Sequence, residues 1–312
     1  MKIIKDKKGY TTSIILLVML IPLLLLLIIT IQQYDHEVYT TVEKLETQKI
    51  KSKTTDFEEQ IITKTKESLH EITLETVTKN RPYTNSRETL KKHIQNKTNH
   101  LQEEYLQDDI IINCTINSIK SSDDPFKIEL DYTLHVTAKN TTMQISKNQK
   151  KLVEITDTQY PVYDPLPTLK TGARFTDNTV EYTDKLSQII SIEGSDAYLD
   201  TIQQITINKC PYNDYSQHGN DNKTIQHCLN NHYYHNSHDG MCLLCRLENK
   251  TSCNDYGFET FIQPTKITDR APASIDHVLL NDQNNQYMGN NISIANNTTL
   301  YLDNGHKNKY GL

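Results

Sequence analysis

Between Ser13 and Ile31 the chain reads SIILLVMLIPLLLLLIITI, nineteen residues without a charged side chain. At about 1.5 Å rise per residue such a run covers roughly the 30 Å of a bilayer's hydrocarbon core, which predicts a transmembrane helix. Pro22 lies inside the run, and a membrane helix tolerates it because neighbours and local adjustments satisfy the freed carbonyl. Lys2, Lys5, Lys7 and Lys8 precede the run with Asp6 as the one acid, whereas Asp35 and Glu37 follow it. Basic flanks stay in the cytoplasm. The expected layout is a cytoplasmic leader at 1–12, a single span at 13–31 and an extracellular remainder, with the lipid bilayer as first partner. A cleaved secretory signal would have a shorter apolar run and a small-residue site after it. The exit TIQQYDHEVY offers no such site, so the helix is expected to stay attached.

Outside the span the chain is polar. Mean hydropathy is −0.62 despite the apolar run, and 33 basic residues against 39 acidic ones give a net charge of −6. Without a basic patch there is no attraction toward a phosphate backbone, so nucleic acid is excluded as a partner.

Residues 34–79 contain neither Gly nor Pro, and apolar residues recur at helical spacing: Val38, Val42 and Leu45, then Phe57 and Ile61, then Leu69 and Ile72. A helical stalk is predicted to continue the membrane helix outward through the region 32–108. Asn80-Arg81-Pro82 stops it, because the residue before Pro is pushed out of helical conformation. Asn85 followed by Glu88 forms a capping-box pattern that starts a second helix through about Gln107.

The period then changes from 3.6 to 2. Segments 109–119, 126–139 and 142–155 read as strands, most clearly where Ile128, Leu130, Tyr132, Leu134 and Val136 alternate with polar residues. Asp123-Asp124-Pro125 and Lys139-Asn140 supply turns, giving a three-stranded antiparallel meander over 109–158. Tyr160 to Pro167, YPVYDPLP, is too rich in Pro for a central strand or a helix and marks a linker over 159–172. A β-rich, Cys/His-containing region over 173–312 follows, with strands expected at 173–182, 203–209, 258–263, 275–280 and 298–303. The fold class is α+β: a transmembrane helix, a helical stalk and an antiparallel β-rich ectodomain.

Asn-x-Ser/Thr triplets occur at Asn96, Asn113, Asn140, Asn222, Asn249, Asn291, Asn296 and Asn297, all beyond the span. A chain rich in Asn and Thr produces such triplets by chance, yet their side of the membrane agrees with the charge-derived topology. Glycans are expected at exposed positions among them.

Five of the six cysteines, Cys210, Cys228, Cys242, Cys245 and Cys253, fall in one segment with His218, His227, His232, His235 and His238, while Cys114 lies upstream. Three readings compete. Disulfides drawn from all six cysteines would persist outside a cell and hold together a segment poor in apolar residues. A structural zinc would use Cys228-x3-His232 with Cys242-x2-Cys245, four N or S donors that can close tetrahedrally. Thiol exchange at Cys242-x2-Cys245 is the weakest, because no βαβ pattern surrounds it. Location places disulfides first, and His232, His235 and His238 read as a solvated loop. Apart from that structural zinc, no cofactor is expected.

No G-x-S-x-G, H-E-x-x-H, Walker or G-x-G-x-x-G pattern is present. Asp276-His277 would point to opposite faces of a strand, and Glu259, Asp269 and Asp276 are too scattered to pair. An enzyme is not expected.

Lys7-Lys8-Gly9 followed by Tyr10 and the apolar run resembles the short leader of archaeal type IV pilin-like proteins, cut after a Gly on the cytoplasmic side. The resemblance implies Gly9 as the last residue removed and Tyr10 as the first retained; a plain basic flank is the other reading, and the helix stays attached in both. A stalk helix followed by an antiparallel sheet is also how pilin-like subunits are built. The leader, the YDPLP stretch and the Cys/His segment together resemble single-pass surface proteins of methanogenic archaea. That resemblance implies location at the cell surface; the role expected there is structural or adhesive, as a pilin-like subunit or minor component of a surface assembly, with copies of itself or other surface proteins as partners through the N-terminal helix. The alternative from another class is a metal-dependent or thiol-redox ectodomain acting through residues 210–253.

Overall fold

In the computed structural model the described residues are 7–106, 109–139, 144–189, 195–221, 223–238, 240–264, 273–274, 279, 290–294 and 298–312. Helix α1 is continuous from Lys7 to Lys79, 73 residues, or about 110 Å at the usual rise. Pro22 does not interrupt it. Along its polar part, Thr54, Thr65, Thr73 and Thr76 return their hydroxyls to the carbonyls four residues back at 2.7–2.8 Å, so that polar side chains on the packed face are satisfied within the helix. It ends where the sequence stops it: Asn80 takes a left-handed backbone, φ 48°, ahead of Arg81-Pro82. α2, Ser86–Tyr105, starts at the expected cap, with the Asn85 side chain accepting from the Glu88 N–H at 3.1 Å.

The period-2 segments form the predicted meander: β1 (Ile110–Ser121), β2 (Lys127–Ala138) and β3 (Gln144–Glu154), antiparallel in that order. Asp124 makes the first turn, accepting from Phe126 N–H through its side chain at 3.1 Å and from Lys127 N–H through its carbonyl at 2.9 Å. The register shifts between Ile116 and Ser118, and the Asn117 in between is tied to Asp131 and Thr133. On β2 every second residue is buried, whereas β3 buries only Val153 and stands as a polar edge. Phe57, Ile61, Leu69 and Ile72 of α1 join Leu90, Ile94 and Leu101 of α2 against the inner sheet face, Ile112, Cys114, Ile116, Ile128, Leu130, Tyr132 and Leu134. Phe57 is fully buried and meets Tyr105 edge to face, with ring centroids 5.3 Å apart.

Beyond the meander the expectations need adjustment. The Pro-dense stretch does enter a helix: α3, Leu166–Thr171, is capped by Pro165 and carries Pro167 in its first turn, where a missing N–H costs nothing. The strand expected at 173–182 is a hairpin, β4 (Arg174–Thr176) and β5 (Thr179–Glu181), because Asp177 and Asn178 adopt φ 46° and 67° and turn the chain. After α4 (Lys185–Ile189), β6 (Ile202–Gln204) completes a small three-stranded sheet with β5. Then come α5 (Lys223–Asn230), β7 (His235–Ser237), α6 (Leu243–Leu247), β8 (Gly257–Glu259), β9 (Phe261–Ile262), β10 (Ala273–Ser274), β11 (Asn290–Ile294), β12 (Thr298–Leu302) and a last helix, Asn304–Lys309. The strand expected at 275–280 lies mainly outside the described residues.

Candidate metal centres in the cysteine and histidine segment

Several elements converge on residues 210–261. Cys210 is held by its N–H bonding the Tyr234 carbonyl at 2.9 Å, beside a parallel bridge between Lys209 and Tyr234. His218 closes a short 3₁₀ turn, Tyr215–Gln217, which Asp214 caps. Cys228 projects from α5, and His235 opens β7, paired in register with Glu259 of β8. These four side chains, Cys210, His218, Cys228 and His235, bring one donor atom each to within 4.8 Å of all the others, and all four residues are buried. Cys210 Sγ lies 3.4 Å from Cys228 Sγ and 3.4 Å from His218 Nε2.

A second group forms from Cys242, Cys245, Cys253 and Asp255, again with donor atoms within 4.8 Å of one another. Cys253 Sγ is 3.1 Å from Cys245 Sγ and 3.4 Å from Cys242 Sγ, and Cys242 Sγ is 3.5 Å from Asp255 Oδ2. Cys253 and Asp255 are half-buried. Asp255 also accepts from Arg87 Nη2 and Ser121 Oγ, each at 3.0 Å, so α2 and β1 reach this site. All six thiols are unbridged.

A guanidinium fixes the frame between the groups. Arg246 of α6, fully buried, donates from Nη1 to Asp164 at 2.6 Å, from Nε to the Met241 carbonyl at 2.8 Å and from Nη2 to the Phe258 carbonyl, and it stacks 4.3 Å from the Phe258 ring centre. Asp164 belongs to the Pro-dense stretch, is fully buried, and also accepts from Tyr234 Oη at 3.3 Å and Leu166 N–H at 3.0 Å. Gly240 and Gly257 let β8 cross the chain just before Cys242, since a Cβ on either would collide with the opposite backbone.

Contacts among the thiols, more than burial, set charge in the segment. The hydrogen bond from the Cys228 thiol outweighs burial and lowers Cys210, while the same contact raises Cys228: one proton serves two sulfurs. In the second group contacts from Cys242 and Cys245 lower Cys253 to about 2, and Cys245 is raised. Burial, opposed by the neighbouring Cys210 sulfur, lowers His235. Cys114, on β1 inside the main core, is raised to about 12, chiefly by burial, and belongs to neither group.

The donor set Cys228, His232, Cys242 and Cys245 expected from spacing is therefore divided. Cys228 goes to one group, Cys242 and Cys245 to the other, and His232 to neither. Cys-x3-His aligns two ligands only on a helix that continues, but α5 ends at Asn230 and His232 takes φ 50°. His218, His235, Cys253 and Asp255 were not singled out as ligands by spacing. His238 is exposed, as a solvated loop residue would be, whereas His235 beside it is fully buried. Period-2 reading across 235–238 carried the signal that separates them.

Near the first group lies another buried polar cluster. Glu259, fully buried, accepts from His306 Nε2 at 2.7 Å, Tyr310 Oη at 2.8 Å, Ser274 Oγ at 3.1 Å and Lys309 Nζ, while His306 Nδ1 meets Asp303 at 2.9 Å. Burial disfavours the charged His306 ring, but the two carboxylates prevail and raise it to about 10.

Of the glycosylation triplets, Asn96 on α2 and Asn113 on β1 are exposed and Asn249 is half-buried with φ 51°. Asn291 lies on β11, and Asn140, Asn222, Asn296 and Asn297 fall outside the described residues. Gly9 and Tyr10 lie at the start of α1. Asp269, Asp276 and His277 are outside the described residues. Comparison of the chain with protein-family models, curated proteins and solved structures finds no match.

Proposed function

We propose that the chain is a membrane-anchored surface protein without catalytic activity of its own, whose apolar helix end crosses the bilayer from a cytoplasmic N-terminus and whose remaining residues stand outside. In this reading it serves a structural or adhesive role, as a pilin-like subunit or minor component of a surface assembly. The observation that carries the reading is the divided character of α1. From Ile15 to Ile31 every residue is exposed, with Leu16 at 69% and Met19 at 71%, and the segment is apolar on all sides. A helix apolar all round needs an apolar solvent. At roughly −0.3 to −0.6 kcal/mol per Leu, Ile or Val, this run favours insertion by roughly 5–8 kcal/mol. From Ile50 onward the same helix buries a single stripe in the protein core.

The test is protease shaving of intact cells, with mass spectrometry of released peptides and of the membrane fraction. Peptides from 32–312 released while the span stays behind support the reading. Their retention, in cells shown to make the protein, overturns it. N-terminal sequencing adds a second arm: Tyr10 as first residue supports pilin-type processing, Met1 a plain anchor, and a start near residue 36 overturns anchoring.

A further inference from the structure

We propose that residues 210–255 form a two-ion module, in which Cys210, His218, Cys228 and His235 hold one zinc-class ion and Cys242, Cys245, Cys253 and Asp255 hold a second. The inference goes beyond the anchoring reading and does not depend on it. Sulfurs about 2.3 Å from a tetrahedral ion lie about 3.8 Å apart, and a sulfur and an imidazole nitrogen on the same ion about 3.6 Å apart. The separations of 3.4 Å in the first group are close to these edges and well beyond the roughly 2.05 Å of a disulfide. In the second group the sulfur pairs at 3.1 and 3.4 Å are shorter than that edge though again well beyond a disulfide, and the sulfur–carboxylate pair at 3.5 Å is close to the roughly 3.6 Å expected on one ion.

The histidines supply an independent argument. His218 Nδ1 sits 3.2 Å from the Asp214 carbonyl, which fixes its N–H there and leaves the Nε2 lone pair facing Cys210. His235 is fully buried; among the described residues neither ring nitrogen makes a hydrogen bond of good geometry, and its polar neighbour is the Cys210 sulfur. An orphaned buried imidazole is costly. An ion among Cys210, His218 and Cys228 would take the one lone pair of its neutral ring.

Charge distinguishes the two sites. Two thiolates and two neutral imidazoles cancel a divalent cation, so the first site suits full burial. Tyr215 and Tyr310 pack on His235, with ring centroids at 4.9 and 5.2 Å, and such a closed four-ligand shell is structural. Three thiolates and a carboxylate leave the second site negative, and its half-buried position beside Arg87 Nη2, 3.0 Å from Asp255, answers that excess. Because Arg87 and Ser121 also use Asp255, the carboxylate is the exchangeable ligand of the set.

Binding displaces thiol protons to solvent and forms metal–sulfur bonds without electron transfer. The test uses full-length protein extracted in detergent under reducing, metal-buffered conditions. Metal analysis is expected to give two equivalents of zinc per chain, and exchange with Co²⁺ to give intense visible absorption and thiolate charge-transfer bands. His235→Ala should lose one equivalent and leave the cobalt spectrum of a sulfur-rich site; Cys253→Ser should lose the other. Asp255→Asn should keep two equivalents but release one of them readily to a chelator. Zero or one equivalent in the wild type, or non-reducing peptide maps joining Cys210 to Cys228 or Cys253 to Cys242 or Cys245, would overturn the proposal. Since the cobalt spectra are recorded on the wild type, a variant that fails to fold does not remove the test.

Discussion

Replacing Arg246 with Met keeps most of the side-chain volume and removes the charge that faces Asp164. Both partners are fully buried and 2.6 Å apart. Deleting one member of a buried pair leaves an uncompensated charge and costs about 3–5 kcal/mol. The Met241 and Phe258 carbonyls lose donors too, at about 1–3 kcal/mol each in isolation. These costs share one desolvated environment and do not add, so a total of about 4–5 kcal/mol is expected, near a thousandfold in the folding constant. The assay is equilibrium urea unfolding of the detergent-extracted full chain, followed by near-UV circular dichroism of its tyrosines. With a slope of about 2 kcal/mol/M the midpoint falls by about 2 M. Pairing Arg246→Met with Asp164→Asn removes the stranded carboxylate, so the double variant should be more stable than the sum of the single effects by at least about 2 kcal/mol. A cost below about 1 kcal/mol for Arg246→Met, or additivity within about 0.5 kcal/mol, would refute the reasoning.

Phe57→Ala empties a fully buried position against Tyr105 and should cost about 3–5 kcal/mol, while Val38→Ala, on an exposed face at 44%, should stay within about 0.5 kcal/mol; comparable losses in the same urea assay would contradict the assigned packing. His306, raised to about 10 against an unfolded value near 6.5, contributes stability that is complete below pH about 6.5 and is lost as pH climbs through about 10. NMR titration should find its ring charged at pH 8, with Glu259→Gln moving the transition downward; a neutral ring at pH 8 would refute the assignment.

The long elements were legible because each rests on local chemistry. A Gly- and Pro-free stretch with helical spacing gave α1, the Asn85 cap gave α2, and strict alternation from Ile128 to Val136 gave β2. What local pattern could not supply was which residues meet across distance. Asp164 reads as a linker acid until Arg246, 82 positions later, is folded against it. Beyond Cys242-x2-Cys245, neither sulfur group has a regular spacing: Cys210 and His235 are brought together by a parallel bridge and a strand pairing, and Asp255 is positioned through Arg87. The Asp177-Asn178 turn was not legible: 173–182 read as one strand, and only the left-handed angles of those two residues divide it into a hairpin. Pro-rich YDPLP looked like a break because Pro is read as a helix breaker, yet in a first turn it is a helix former.

Between Gln32 and Lys79 the helix has neither Gly nor Pro, and the core first grips it at Ile50. A rod of that kind has no joint. Were the apolar end to lie in lipid as proposed, tilting it by about 20°, an ordinary angle for a membrane helix, would swing the attachment point sideways by roughly 10 Å over an arm of roughly 28 Å. In that anchored arrangement the head would inherit its bearing from the bilayer, and a change of lipid thickness would reach it as a change of aim.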